Sequence, residues 1–125
     1  MKYAHPDVLD NGPAYIRANA TRALLVPSFN TGMTYADVLA STLLSATVTP
    51  ADFTLSDDLD GRKLVYGGAT AVASATAPAA GQSQLVFVDG TGRILWVDDQ
   101  TKSQLITAGL SYELPRLTYR VPQPQ

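Results

Sequence analysis

LVFVDGTGRILWVDD, Leu85 to Asp99, decides how the rest of the chain is read. Two runs, Leu85-Val86-Phe87-Val88 and Ile94-Leu95-Trp96-Val97, flank a turn segment that begins Asp89-Gly90-Thr91-Gly92. Gly and Asp tolerate the backbone angles of tight turns, so the stretch predicts a β-hairpin. Three aspartates, Asp89, Asp98 and Asp99, beside a glycine turn also suit an acid–base or metal site. The strands bear on that choice. A strand with one wet face alternates apolar and polar residues, and a strand covered on both faces does not. Neither run alternates. The hairpin therefore sits inside a sandwich or shows its outer face to another chain. Phe87 and Trp96 are expected to anchor the core on one face. Val86, Leu95 and Val97 are expected to fill the other, against a second sheet or chain. Asp89 beside the turn would accept hydrogen bonds from turn amides, a use that needs no catalysis.

Composition narrows the function classes. The chain has 125 residues, the size of one domain, and can bury a core without staples. Its apolar fraction of 46% argues against disorder, while a charged fraction of only 16% leaves a surface of Thr, Ser, Gln, Asn and Ala. Such a surface suits packing against neighbours. The net charge is −2 and the basic residues are scattered, so no stripe is set to neutralise phosphates and nucleic acid is not an expected partner. The absence of cysteine excludes disulfides, thiolate metal sites and cysteine nucleophiles. No apolar run approaches the roughly 20 residues of a membrane span, and the N-terminus does not read as a signal peptide. The expectation is a soluble protein made in the cytoplasm, with no membrane partner.

Working outward, residues 1–12 hold His5-Pro6, Asp10, Asn11 and Gly12 and read as an irregular arm. Pro13 is placed to open a short helix running through Ala14–Ala18 and ended by Asn19 or Ala20. Thr21–Val26 reads as the first strand, stopped by Pro27. Thr34 and Asp37 form a capping-box pattern, and Tyr35, Val38, Leu39 and Leu43 follow at helical spacing, predicting a helix over Tyr35–Leu44. From Ser45 the sequence predicts strands at Ala46–Val48, Asp52–Leu55, Lys63–Tyr66, Ala69–Ala77, Gln84–Val88, Ile94–Asp98, Gln104–Thr107 and Leu117–Val121. Residues 122–125 alternate Pro and Gln and read as an extended tail that cannot pair. The fold class expected is mainly β: one domain over 1–125, an antiparallel sandwich or jelly-roll-like barrel with one or two short helices in its N-terminal third.

The search for chemistry finds little. Asp57, Asp58 and Asp60 before Gly61 resemble a calcium loop, but with Gly61 at its sixth position the first is Ser56 and the twelfth Gly67, so the ligand pattern fails twice. The only histidine, His5, cannot supply a two-histidine metal set, and no spacing supports a Ser-His-Asp triad. Gly90-Thr91-Gly92 lacks the third glycine and the helix of a dinucleotide site. A carboxylate pair meeting only in space stays open, with Glu113, Asp98 and Asp99 as the candidates for a glycan-binding or wall-hydrolysing module. The expected inventory is no catalytic residue, no cofactor and no metal.

Residues 4–22, AHPDVLDNGPAYIRANATR, together with ILWVDD at 94–99, resemble a group of small virion proteins of tailed bacteriophages and prophages. The likeness runs along most of the chain and carries no chemistry. It implies a head cementing, or decoration, protein: small, β-rich, often jelly-roll-like, binding the exterior of the phage head and linking major capsid subunits. A tail-tube or head–tail connector subunit is the alternative that the same resemblance leaves open. Under this reading the partners are the major capsid protein and further copies of the chain, a homodimer first and a trimer second. The arm, through Tyr3, His5, Pro6, Asp7, Val8 and Leu9, is expected to reach a neighbouring subunit. The hairpin residues Val86, Phe87, Leu95, Trp96 and Val97 are expected to serve core or interface.

Overall fold

In the computed structural model the described residues are 3–4, 12–58, 61–77, 81–99 and 103–122. The chain is mainly β, with antiparallel sheets and two short helices near the N-terminus. The main sheet has the order β1 (Tyr3–Ala4), β9 (Ile94–Asp98), β8 (Gln84–Asp89), β2 (Ala20–Val26) and β3 (Leu44–Thr47). Facing it is a three-stranded sheet of β12 (Leu117–Pro122), β5 (Gly61–Tyr66) and β4 (Phe53–Asp58). Two separate two-stranded ribbons complete the strands: β6 (Ala69–Val72) with β11 (Ser111–Leu114), and β7 (Gly81–Gln82) with β10 (Ser103–Gln104). The result is a sandwich.

Sequence alternation and burial explain why the layers close. Ala23, Leu25, Leu85, Phe87, Leu95 and Trp96 of the main sheet form one apolar cluster with Phe53, Leu64, Tyr66 and Leu117 of the facing sheet. Its centre is a chain of rings. Phe87 lies 5.7 Å from Phe53 and 5.0 Å from Tyr66, and stacks on Trp96 at 4.8 Å. Trp96 in turn meets Tyr119 edge-on at 5.6 Å. Offset and edge contacts of this kind add to the apolar burial itself.

The other face of the main sheet is covered by the chain's own residues. Leu24, Val26, Val86, Val88, Ile94 and Val97 pack with Phe29 and with Val38 of helix α2 (Tyr35–Ser41), flanked by Met33 and Tyr35. The expectation of a second sheet or second chain on this face is therefore corrected: a loop and a helix serve instead. A further correction concerns Leu95. Phe87 pairs with Trp96 and Val86 with Val97, but Val88 pairs with Ile94, so a bulge leaves Leu95 out of the ladder. The extra residue shifts side-chain direction by one position. Leu95 thus joins Phe87 and Trp96, while Val86 and Val97 lie on the opposite face.

Helix α1 (Pro13–Asn19) opens at Pro13 and ends at Asn19 as the sequence predicts, and buries Ile16 in the main cluster. Helix α2 begins with the predicted capping box: Asp37 N donates to Thr34 Oγ1 at 3.2 Å and Thr34 N to Asp37 Oδ2 at 2.9 Å. It ends at Ser41 rather than Leu44. Ser41 and Thr42 hydroxyls donate back to the carbonyls of Asp37 and Val38, satisfying the last turn. Leu43 is then taken by the sheets: its amide donates to Leu25 O and its carbonyl accepts from Ser74 and Ala75. Strand β3 accordingly starts at Leu44, earlier than predicted, and stops at Thr47.

Other boundaries shift for local reasons. A 3-10 turn over Pro50–Asp52 delays β4 to Phe53. The predicted strand Ala69–Ala77 ends at Val72 and bends at Ser74 and Ala75, where those amides turn to Leu43. Gln104–Thr107 is regular only at Gln104, although Ala77 N still reaches Ile106 O at 2.9 Å. Strand β11 was not predicted, because Ser111-Tyr112-Glu113-Leu114 is half polar. The tail does pair through Pro122, opposite Gly61. Proline is tolerated there because β12 is a sheet edge. The arm is not wholly irregular either: Tyr3 and Ala4 pair with Val97 and Trp96 as β1. His5, Pro6, Asp7, Val8 and Leu9 lie outside the described residues, as do Leu59 and Asp60 of the predicted β4–β5 turn.

Candidate functional site

The hairpin acids come first. Asp89 is 6% exposed, at the end of β8. Its Oδ1 accepts from Thr91 N at 2.9 Å, Thr91 Oγ1 at 3.0 Å and Arg93 N at 2.9 Å. The turn closes through Asp89 N to Arg93 O at 3.1 Å, with Gly92 at a φ of 93° that L side chains rarely adopt. Burial pushes the Asp89 carboxyl up, but the hydrogen bonds from Arg93 and Thr91 and the Arg93 charge outweigh it, so its pKa lies below the usual value. A carboxylate held down and engaged in this way braces a turn and is poorly suited to take up protons near neutral pH. Asp98 is 1% exposed and Asp99 half-buried, at and beyond the end of β9, and both are engaged by other groups.

The five hairpin residues singled out by sequence, Val86, Phe87, Leu95, Trp96 and Val97, are all buried, none more than 2% exposed. Of the arm residues, Tyr3 is placed by its backbone on the edge strand β1 and the rest lie outside the described residues. Asp57 forms an exposed ion pair with Arg62 at 2.6 Å across the β4–β5 hairpin. Such a pair contributes little to stability. No group of three or more metal-ligating side chains gathers among the described residues.

One cleft was not foreseen. It has a volume of about 210 Å³ and is lined by Leu25, Gly67 and Ser83. Glu113, Leu114, Pro115 and Arg116 complete it from the β11–β12 corner. The corner is pressed close: Gly68 has a φ of 85°, and a Cβ there would lie 2.6 Å from Leu114 O. The Gly67-Gly68 and Pro115 punctuation was the only sequence signal of this cleft. Glu113 is its sole carboxylate among the described residues, so Asp98 and Asp99 do not join it there. Hydrolysis by a carboxylate pair needs a second acid across the cleft.

Neither protein-family models, nor curated proteins, nor solved structures yield a match to this chain.

Proposed function

We propose that this chain is a non-enzymatic structural protein of a tailed-phage particle, a cementing protein that binds and links major capsid subunits on the head exterior. The observation that carries the structural reading is the hairpin: Asp89 braces its turn and its strands are enclosed by the chain itself. The phage assignment rests on the likeness of residues 4–22 and 94–99 to small virion proteins. Two further features support the reading. The surface carries little charge, and Val72, Leu105 and Leu110 stand more than half exposed on or beside the β6–β11 and β7–β10 ribbons. Exposed apolar residues in a charge-poor setting suit contact with protein.

A cement works by repetition. Each contact with the shell needs only modest affinity, because copies sharing one lattice gain avidity, and a dimer spanning two capsid subunits gains more. The rigid two-layer core keeps the contact surfaces at fixed spacing. The test is to mix the purified protein with heads that lack it and image them by electron cryomicroscopy. Ordered density on the outer shell is the expected result. A bare shell, or density confined to the tail or neck, would overturn the cementing role, the latter in favour of a tail or connector subunit.

A further inference from the structure

The cleft between the Gly67-Gly68 corner and the β11–β12 corner carries an inference independent of any capsid role. Its lining holds one acid and one base, Glu113 and Arg116. Both side chains are exposed, and neither has a hydrogen bond or ion pair among the described residues. They are three residues apart but do not pair with each other, since Pro115 breaks the run between β11 and β12. The rest of the lining is apolar through Leu25, Leu114 and Pro115, with the buried Ser83 as a polar group. The volume, about 210 Å³, is below the roughly 300–1,000 Å³ of clefts that take drug-sized ligands.

We propose that this cleft binds a small zwitterion of the α-amino-acid class. Arg116 holds the carboxylate, for which a guanidinium offers paired donors. Glu113 holds the ammonium, and an aliphatic side chain lies against Leu25, Leu114 and Pro115. Discrimination follows from charge. A ligand with only one charge leaves either Glu113 or Arg116 without a partner beside an occupied cleft, which weakens binding relative to the zwitterion.

The test is a titration of the ¹⁵N-labelled protein with L-leucine, followed by amide chemical shifts. Saturable shifts are expected at Gly67, Ser83, Glu113 and Arg116, with half-saturation in the millimolar range. The single-charge analogues 4-methylpentanoate and 3-methylbutylamine, and the variants Glu113→Gln and Arg116→Gln, should each weaken binding by about threefold to fivefold, the range for a solvent-exposed ion pair. Unchanged melting temperatures in the two variants show that folding is intact. No saturable shift up to about 50 mM leucine, a level that detects even binding of only a few kcal/mol, would overturn the proposal. Equal half-saturation for leucine and its single-charge analogues would overturn it as well.

Discussion

Replacing Trp96 with alanine removes the side chain on which two rings depend. Trp96 is 2% exposed, lies within 14° of parallel to Phe87 at 4.8 Å, and takes Tyr119 edge-on at 5.6 Å. Truncating a buried Trp costs about 3–5 kcal/mol, the sum of lost transfer energy and the cavity left behind. Tyr119 is only half-buried and able to lean into the gap, which favours the lower half of that range. In a domain of this size 1 kcal/mol moves the melting temperature by about 3–5 °C, so Trp96→Ala should melt about 10–20 °C lower. Trp96→Phe keeps a ring stacked on Phe87 and should lose only about 1–2 kcal/mol. Thermal melts and urea titrations, with an unchanged urea slope, measure both variants. A drop for Trp96→Ala of less than about 5 °C would show that the ring chain does not organise the core.

Three further outcomes follow from single groups. Asp89→Asn keeps an acceptor in the turn but loses its charge, and should cost about 1 kcal/mol at neutral pH. Because the folded-state pKa of Asp89 is lowered, its contribution is present above the unfolded value of about 4 and is lost as pH falls through the folded value; acid titration of stability should be flatter in the variant. Tyr66 is fully buried, and its hydroxyl has no hydrogen-bond partner among the described residues. Tyr66→Phe should therefore be neutral or stabilise by about 1 kcal/mol, and a loss above about 1 kcal/mol in urea would reveal a partner for the hydroxyl. Burial and the nearby Asp52 raise the Tyr66 pKa to about 12, so the wild type should lose stability as pH rises from about 10 through that value, and the Phe variant less. Gly68→Ala forces a Cβ to 2.6 Å from Leu114 O at a φ of 85° and should cost about 2–4 kcal/mol, read from urea midpoints.

The hairpin shows what was legible in the sequence and what was not. Its unalternating strands announced burial on both faces, and the Asp89-Gly turn announced its own hydrogen bonds. What covered the outer face was not legible, because Phe29 and Val38 stand 48 to 68 positions away in sequence and only tertiary packing brings them to Val86 and Val97. Leu95 was misassigned because a bulge is a backbone event that alternation alone does not encode. The end of helix α2 was missed for a related reason. Leu43 fits the helical stripe, but its backbone bonds to Leu25 and Ser74 draw it into the sheets, and Leu44, in β3, pairs with Leu25. Beyond the Gly67-Gly68 and Pro115 punctuation the Glu113–Arg116 cleft left no mark in the sequence, because its walls come from four separate segments of the chain.

The account's central claim is that the Leu85–Asp99 hairpin is enclosed on both faces by its own chain. Amide hydrogen exchange at Val86, Val88 and Val97, measured from dilute to concentrated protein, tests it most directly. The enclosed hairpin predicts that these amides rank among the slowest to exchange, at rates independent of protein concentration. Protection that appears only as concentration rises would contradict the account and place another chain on the outer face.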